Sequence, residues 1–121
     1  MQKNPEVNEQ VYSFFGDTVI VTKSGNIATA MFEGCPVTNF KNGNALVATS
    51  FVDNYPELRP KKSALACGLL WKVQADNYIA TIEILTSGKA AISYKNTISG
   101  RTNALTYDDY VVYGTISWIT N

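Results

Sequence analysis

From Thr18 onward the chain is a succession of short runs rich in Val, Ile, Thr, Tyr and Phe, each cut off by Gly, Asn, Ser or Pro before a helical stripe can develop. That punctuation confines the fold to antiparallel β structure. Strands are predicted at Thr18–Lys23, Ile27–Phe32, Ala45–Phe51, Ala64–Val73, Tyr78–Thr86, Ala90–Lys95 and Tyr110–Thr120, with a weaker one at Val11–Phe15. About eight short antiparallel strands define an all-β class, a β-sandwich that is jelly-roll-like. Residues 1–13 are expected to form a flexible N-terminal arm and residues 14–121 one sandwich domain, the size a single core can support.

Two reversals can be read in detail. Lys23-Ser24-Gly25-Asn26 and Thr86-Ser87-Gly88-Lys89 each place a glycine where a tight turn needs positive φ. Around the second, Ala80, Ile82 and Ile84 share a pleat face, as do Ala90, Ile92 and Tyr94, and both faces should meet in the core. Thr81, Glu83, Ser93 and Lys95 then point to water. Ala64–Val73 repeats the alternation with Leu65, Cys67, Leu69, Trp71 and Val73 on its apolar side, so these are expected inside. Tyr110–Thr120 is apolar on both sides: Tyr110, Val112, Ile116 and Trp118 on one, Val111, Tyr113 and Ile119 on the other. Such a strand has to be covered twice, within its own domain or by a neighbouring subunit.

Composition narrows the chemistry. Lys plus Arg and Asp plus Glu number 10 each, which leaves no surplus charge for a phosphate backbone, so no nucleic-acid partner is expected. Although 45% of the residues are hydrophobic, no run approaches the ~20 apolar residues of a membrane span, and MQKNPEVNEQ lacks a signal peptide's apolar stretch. No membrane association is expected. The chain contains no histidine, which excludes Ser-His-Asp and Cys-His nucleophile systems and any histidine-ligated metal. Cys35 and Cys67 form no CxxC pair; burial as small apolar side chains is the favoured reading, with a bridge between them left open. No cofactor or metal is implied.

The segment YPELRPKKSALACG, residues 55–68, gathers Arg59, Lys61 and Lys62 between prolines and an apolar strand. Pro56 and Pro60 suit a loop crossing to a new strand, because proline cannot donate to a ladder. The basic residues there either keep a strand end soluble and guard it against edge pairing, or touch an anionic polymer.

The order of these features resembles a known family. A turn with Leu58-Arg59-Pro60, a long apolar strand, the polar turn Ala75-Asp76-Asn77-Tyr78, then Ser87-Gly88-Lys89-Ala90 and a closing Gly114-Thr115-Ile116-Ser117-Trp118 are similar to the C-terminal head domains of receptor-binding and baseplate (tail fibre) proteins of tailed phages infecting Gram-positive bacteria. The resemblance spans roughly residues 14–120. It implies a compact sandwich assembled as a homotrimer at the virion tail tip, in contact with other tail or baseplate proteins and binding host cell-wall saccharide without cleaving it. Anionic wall polymers such as teichoic acid would then be the partners of Arg59, Lys61 and Lys62.

A saccharide site combines an aromatic platform for the apolar face of a sugar ring with carboxylates, amides or Arg for its hydroxyls. Three loop segments offer that mixture: Asp53-Asn54-Tyr55, Asp76-Asn77-Tyr78, and Arg101-Thr102-Asn103 running on to Tyr107-Asp108-Asp109-Tyr110. The candidate residues are therefore Asp53, Tyr55, Asp76, Tyr78, Arg101, Tyr107, Asp108, Asp109 and Tyr110, with Tyr55, Tyr78, Tyr107 and Tyr110 as the exposed aromatics. Asp-Asn is also ordinary turn chemistry, and a following Tyr often only opens a strand. Trp71 and Trp118 are assigned to the core. Hydrolysis is disfavoured, since no two carboxylates are placed by the pattern at a glycosidase's ~5–10 Å spacing. The alternatives are a structural baseplate or fibre module with no ligand of its own, and a bacterial carbohydrate-binding or adhesin domain.

Overall fold

A computed structural model describes residues 9–43, 45–75, 77–94 and 109–120. The strands are β1 (Glu9–Phe14), β2 (Val19–Ser24), β3 (Ile27–Pro36), β4 (Lys41–Asn42), β5 (Ala45–Leu46), β6 (Ala64–Trp71), β7 (Tyr78–Ile84), β8 (Ala90–Tyr94) and β9 (Val111–Ile119). Seven of them form one antiparallel sheet in the order β1-β2-β3-β9-β6-β7-β8, and β4 and β5 pair as a separate two-stranded sheet. The chain is all-β and sandwich-like, as its alternation predicts.

β9 is the keel. It pairs with β3 along nearly its whole length, but with β6 only where Val111–Tyr113 face Leu69–Trp71. At the end of that short ladder the two strands come very close: a Cβ on Gly68 would stand 2.7 Å from the Tyr113 carbonyl oxygen, and one on Gly114 would stand 3.1 Å from the Gly68 Cα. Only glycine fits both positions. Beyond them no ladder joins β6 to β9 among the described residues, so the sheet consists of a four-stranded and a three-stranded half joined by one short seam.

The inner side of both halves supplies the core: Val19, Val21, Ala28, Ala30, Phe32, Ile116 and Trp118 from one, and Leu70, Ala80, Ile82, Ile84, Ala90 and Ile92 from the other. The second layer is the long excursion between β3 and β6. Two 3-10 turns, Val37–Phe40 and Pro56–Leu58, carry Phe40 and Leu58 inward, and Phe51 and Val52 follow from the segment between them. Thr49 bridges to Ala90 at one edge and Pro60 to Thr120 at the end of β9, which pins the excursion across the opening. Phe51 is its aromatic hub, with ring centroids 4.8 Å from Phe14 and 6.1 Å from Phe32. Trp118 lies beneath and donates its indole N–H to the Leu58 carbonyl at 2.7 Å, so its one polar atom is satisfied inside the core.

Several expectations need correction. The predicted strand Ala45–Phe51 is a strand only at Ala45–Leu46, because its remainder dives inward to deliver Phe51 and Val52. Residues 9–13, expected within an arm, form most of edge strand β1, and Tyr12 and Phe14 pack on Tyr55 at 5.4 and 5.5 Å. The largest correction is to β6. Its side chains Leu65, Cys67, Leu69 and Trp71 face outward, and Trp71, assigned to the core, is 41% exposed. The small side, Ala64, Ala66, Gly68 and Leu70, is the one turned inward. Close approach at Gly68 decides the matter, since only that side admits the neighbouring backbone and the Ile82 methyl that rests against it, 3.0 Å from where a Gly68 Cβ would be. Cys35 is buried and Cys67 exposed, both as free thiols, so burial holds for the first alone.

The two sides of β9 follow their expected split. Tyr110, Val112, Ile116 and Trp118 are buried, and Tyr113 and Ile119 are exposed. On the outer face of the sheet Met31, Leu65, Leu69, Trp71, Ile79 and Tyr113 lie open on adjoining strands, related by the pairings Met31 with Thr115, Glu33 with Tyr113, Tyr113 with Leu69, and Leu69 with Ile79.

Candidate functional site

Antiparallel pairing sends the candidate residues to two opposite ends of the sheet. The end of β6 and the starts of β7 and β9 share one end with the finish of β8. There Tyr78, Tyr94 and Tyr110 come together, with ring centroids 5.2 Å apart for Tyr78 and Tyr94 and 5.7 Å for Tyr78 and Tyr110. Lys72 reaches over the Tyr110 ring at 5.9 Å and pairs with the Asp109 carboxylate at 3.1 Å. This lysine ties the turn before β9 to the end of β6.

The layers of this cluster differ in access. Tyr110 is only 3% exposed, which corrects its assignment as an exposed aromatic; it is the floor. Tyr94 is buried beside it, and burial raises its phenol above the ordinary range, so the hydroxyl stays protonated at neutral pH. Tyr78 is half-buried and forms the accessible ring, held from behind by the other two. The Asp109 carboxylate stands in solvent, and its hydrogen bond to Lys72 lowers its pKa, which keeps it ionised as an acceptor. Chemically this is a small aromatic shelf beside a carboxylate and an ammonium, a set that can stack on a sugar ring and hold its hydroxyls. Of the sequence candidates, Tyr78, Asp109 and Tyr110 meet here. Asp76, Arg101, Tyr107 and Asp108 lie outside the described residues. Lys72 and Tyr94 were missed because each sits in an apolar strand pattern and only strand pairing reveals them as neighbours of Tyr78 and Tyr110.

Asp53 and Tyr55 belong to a different environment. The Asp53 carboxylate accepts from the Ser50 hydroxyl at 2.6 Å and the Phe51 amide at 2.8 Å, bonds that lower its pKa, with Ser50 the larger cause. A depressed folded value means the contribution of this turn is complete at neutral pH and is lost as pH falls through that folded value. Arg59 donates through Nε to the Asp53 carbonyl at 3.0 Å, with a second, shorter bond from Nη2. Asp53 and Arg59 thus close the loop upon itself. Tyr55 is 38% exposed and leans edge-on against Tyr12 and Phe14.

The basic stretch YPELRPKK resolves into separate tasks. Pro56 opens the second 3-10 turn, Pro60 bridges to Thr120, and the Lys61 amide donates to the Ile119 carbonyl at 2.9 Å. Past that bond a cleft of about 430 Å³ opens, lined by Lys61, Lys62, Ser63, Ala64, Trp118 and Ile119, where β6 and the end of β9 are no longer laddered together. Its walls are mostly apolar and two exposed ammonium groups stand beside it. Among the described residues no cluster of acidic, thiol or imidazole side chains is arranged to hold a metal ion.

Fold and site together define an antiparallel, sandwich-like β domain with an aromatic shelf at one end and a lysine-flanked cleft at the other. Comparison with known protein families, with curated proteins and with solved structures finds no match to this chain.

Proposed function

We propose that this domain is a non-catalytic saccharide-recognition head from a phage tail or baseplate, contacting host cell-wall glycan at the Tyr78 end of its sheet. One observation carries the reading: two of the three aromatic and acidic segments singled out in the sequence contribute to one shelf, Tyr78 over Tyr94 and Tyr110, with Asp109 and Lys72 beside it. The chain's lack of histidine favours binding over turnover. The phage setting rests on the order of motifs in the sequence. A single shallow shelf binds a sugar weakly, and presentation of several copies on one tail restores affinity through effective concentration.

The lysine-flanked cleft supports a second reading of the contact surface, in which Lys61 and Lys62 meet the phosphates of an anionic wall polymer. One experiment separates the two. The purified domain is titrated with neutral wall oligosaccharides and with glycerol-phosphate polymer, at low and high salt. If the shelf is the site, Tyr78→Ala weakens neutral-glycan binding roughly three- to tenfold per site, the loss of one stacking contact, while K61E/K62E changes nothing. If the cleft is the site, K61E/K62E abolishes salt-sensitive polymer binding and Tyr78→Ala is silent. Failure of all ligands to bind leaves a structural module as the function.

A further inference from the structure

We infer that the domain carries a second saccharide site, separate from the Tyr78 shelf, in which the Tyr55 ring and the Glu57 carboxylate, set beside Tyr12 of β1, take an uncharged pyranose. The class of ligand rests on the reading of this domain as a glycan-binding head; the place does not. β1 and β8 are the two edges of the seven-stranded sheet, and Tyr12 stands on the first whereas Tyr94 of the shelf stands on the second. Tyr12 and Tyr55 meet edge to face at 5.4 Å, Tyr55 and Phe14 do so at 5.5 Å, and Phe14 abuts the buried Phe51 at 4.8 Å. This row of rings runs from the core to the surface and ends in Tyr55, which is 38% exposed.

The Tyr55 ring is fixed before any ligand arrives. Its amide donates to the Val52 carbonyl at 3.0 Å, its carbonyl accepts from the Leu58 amide at 2.8 Å, Pro56 follows it, and Arg59 closes the loop on Asp53. A ring already immobilised offers stacking area with little further loss of entropy on binding. The polar side of the site is short of donors. The Tyr12 hydroxyl lies 3.1 Å from Gln10 Oε1 and 3.3 Å from Glu57 Oε1, yet it has a single proton to donate, so one of these oxygens is left for a donor from outside. Partial burial, and then the Glu57 charge, raise the Tyr12 pKa, which keeps the phenol a donor at neutral pH. Glu57 itself is exposed in the 3-10 turn Pro56–Leu58 and, among the described residues, makes no ion pair. An apolar ring face edged by several hydroxyl donors is what a pyranose presents to such a set. A phosphate chain brings negative charge instead, which the carboxylate repels.

The test follows the amide and tyrosine-ring resonances of the isotopically labelled full chain as methyl pyranosides of glucose, galactose, rhamnose and N-acetylglucosamine are added, with glycerol-phosphate polymer as the anionic control. At least one sugar should shift Tyr12, Tyr55 and Glu57 together along one binding curve, and the polymer should shift none of them. Glu57→Gln, which keeps the shape of an exposed side chain and removes its charge, should weaken that curve roughly three- to tenfold and leave the response of Tyr78 as it was. Tyr55→Leu, which keeps apolar bulk against Phe14 but no ring, should abolish it. If Tyr55→Leu unfolds the chain, Glu57→Gln decides alone. Sugar shifts at Tyr78 with none at Tyr55, a curve indifferent to Glu57→Gln, or a response of Tyr12 and Tyr55 to the polymer overturns the inference without touching the shelf. Shifts at Tyr55 with none at Tyr78 support it and remove the shelf instead, and a chain on which no sugar shifts either site overturns both.

Discussion

Gly88→Ala should be among the most damaging single substitutions, lowering stability by roughly 3 kcal/mol or more in urea unfolding. Gly88 has φ of 92°, and a Cβ there would stand 2.5 Å from both the backbone nitrogen and the Cα of Asp53. Neither atom can yield, because the loop is locked by the Val52 amide donating to the Gly88 carbonyl at 2.8 Å and by the Asp53 carboxylate's own bonds. Against a typical total of ~5–15 kcal/mol that loss is a large fraction of the whole. Gly25→Ala provides the contrast. Its φ is 61°, also positive, but nothing lies within 4 Å of a Cβ, so the cost should be only the ~1 kcal/mol of the backbone conformation. Equal losses at the two sites would show that packing of the Asp53 loop on the hairpin contributes nothing. The comparison also bears on function, because it tests Asp53 as a structural element of the loop.

Ile82→Ala is the second large expectation, at about 2–5 kcal/mol. Ile82 is wholly buried, and its Cδ1 lies close to Gly68 and Gly114, where β6 and β9 cross most tightly. Truncation leaves a void beside two glycines that have no side chain to fill it. Ile82→Val should cost less, ~0.5–1.5 kcal/mol, and should soften the penalty of Gly114→Ala, whose new Cβ would otherwise stand 2.9 Å from Ile82 Cδ1. Additive losses in that pair would argue that the methyl is not what excludes a side chain at Gly114.

Most strand positions were legible because a period of two is a strong local signal. The hairpin around Gly88 shows this well: Ala80, Ile82, Ile84, Ala90, Ile92 and Tyr94 are all buried, as the alternation requires. Ala45–Phe51 failed for a physical reason, since an apolar run reads alike whether its residues lie in a ladder or are tucked one by one beneath a sheet. Within the site, Tyr78, Asp109 and Tyr110 could be named individually from aromatic and acidic composition. That they share one shelf with Lys72 and Tyr94, while Asp53 serves a turn, is a fact of strand pairing over long sequence distances.

Local chemistry by itself determined the all-β class, the two glycine reversals, the double-sided character of the last strand and the absence of imidazole catalysis. Each depends only on neighbours along the chain: side-chain alternation, the φ a turn demands, and residue identity. Tertiary structure alone decided which side of β6 became the inside. Alternation marks two faces but carries no label for the core, and the hydrophobic side would ordinarily win. Here the meeting of β6 and β9 leaves no room for a side chain at Gly68, so the small face turned inward and Leu65, Leu69 and Trp71 were left at the surface.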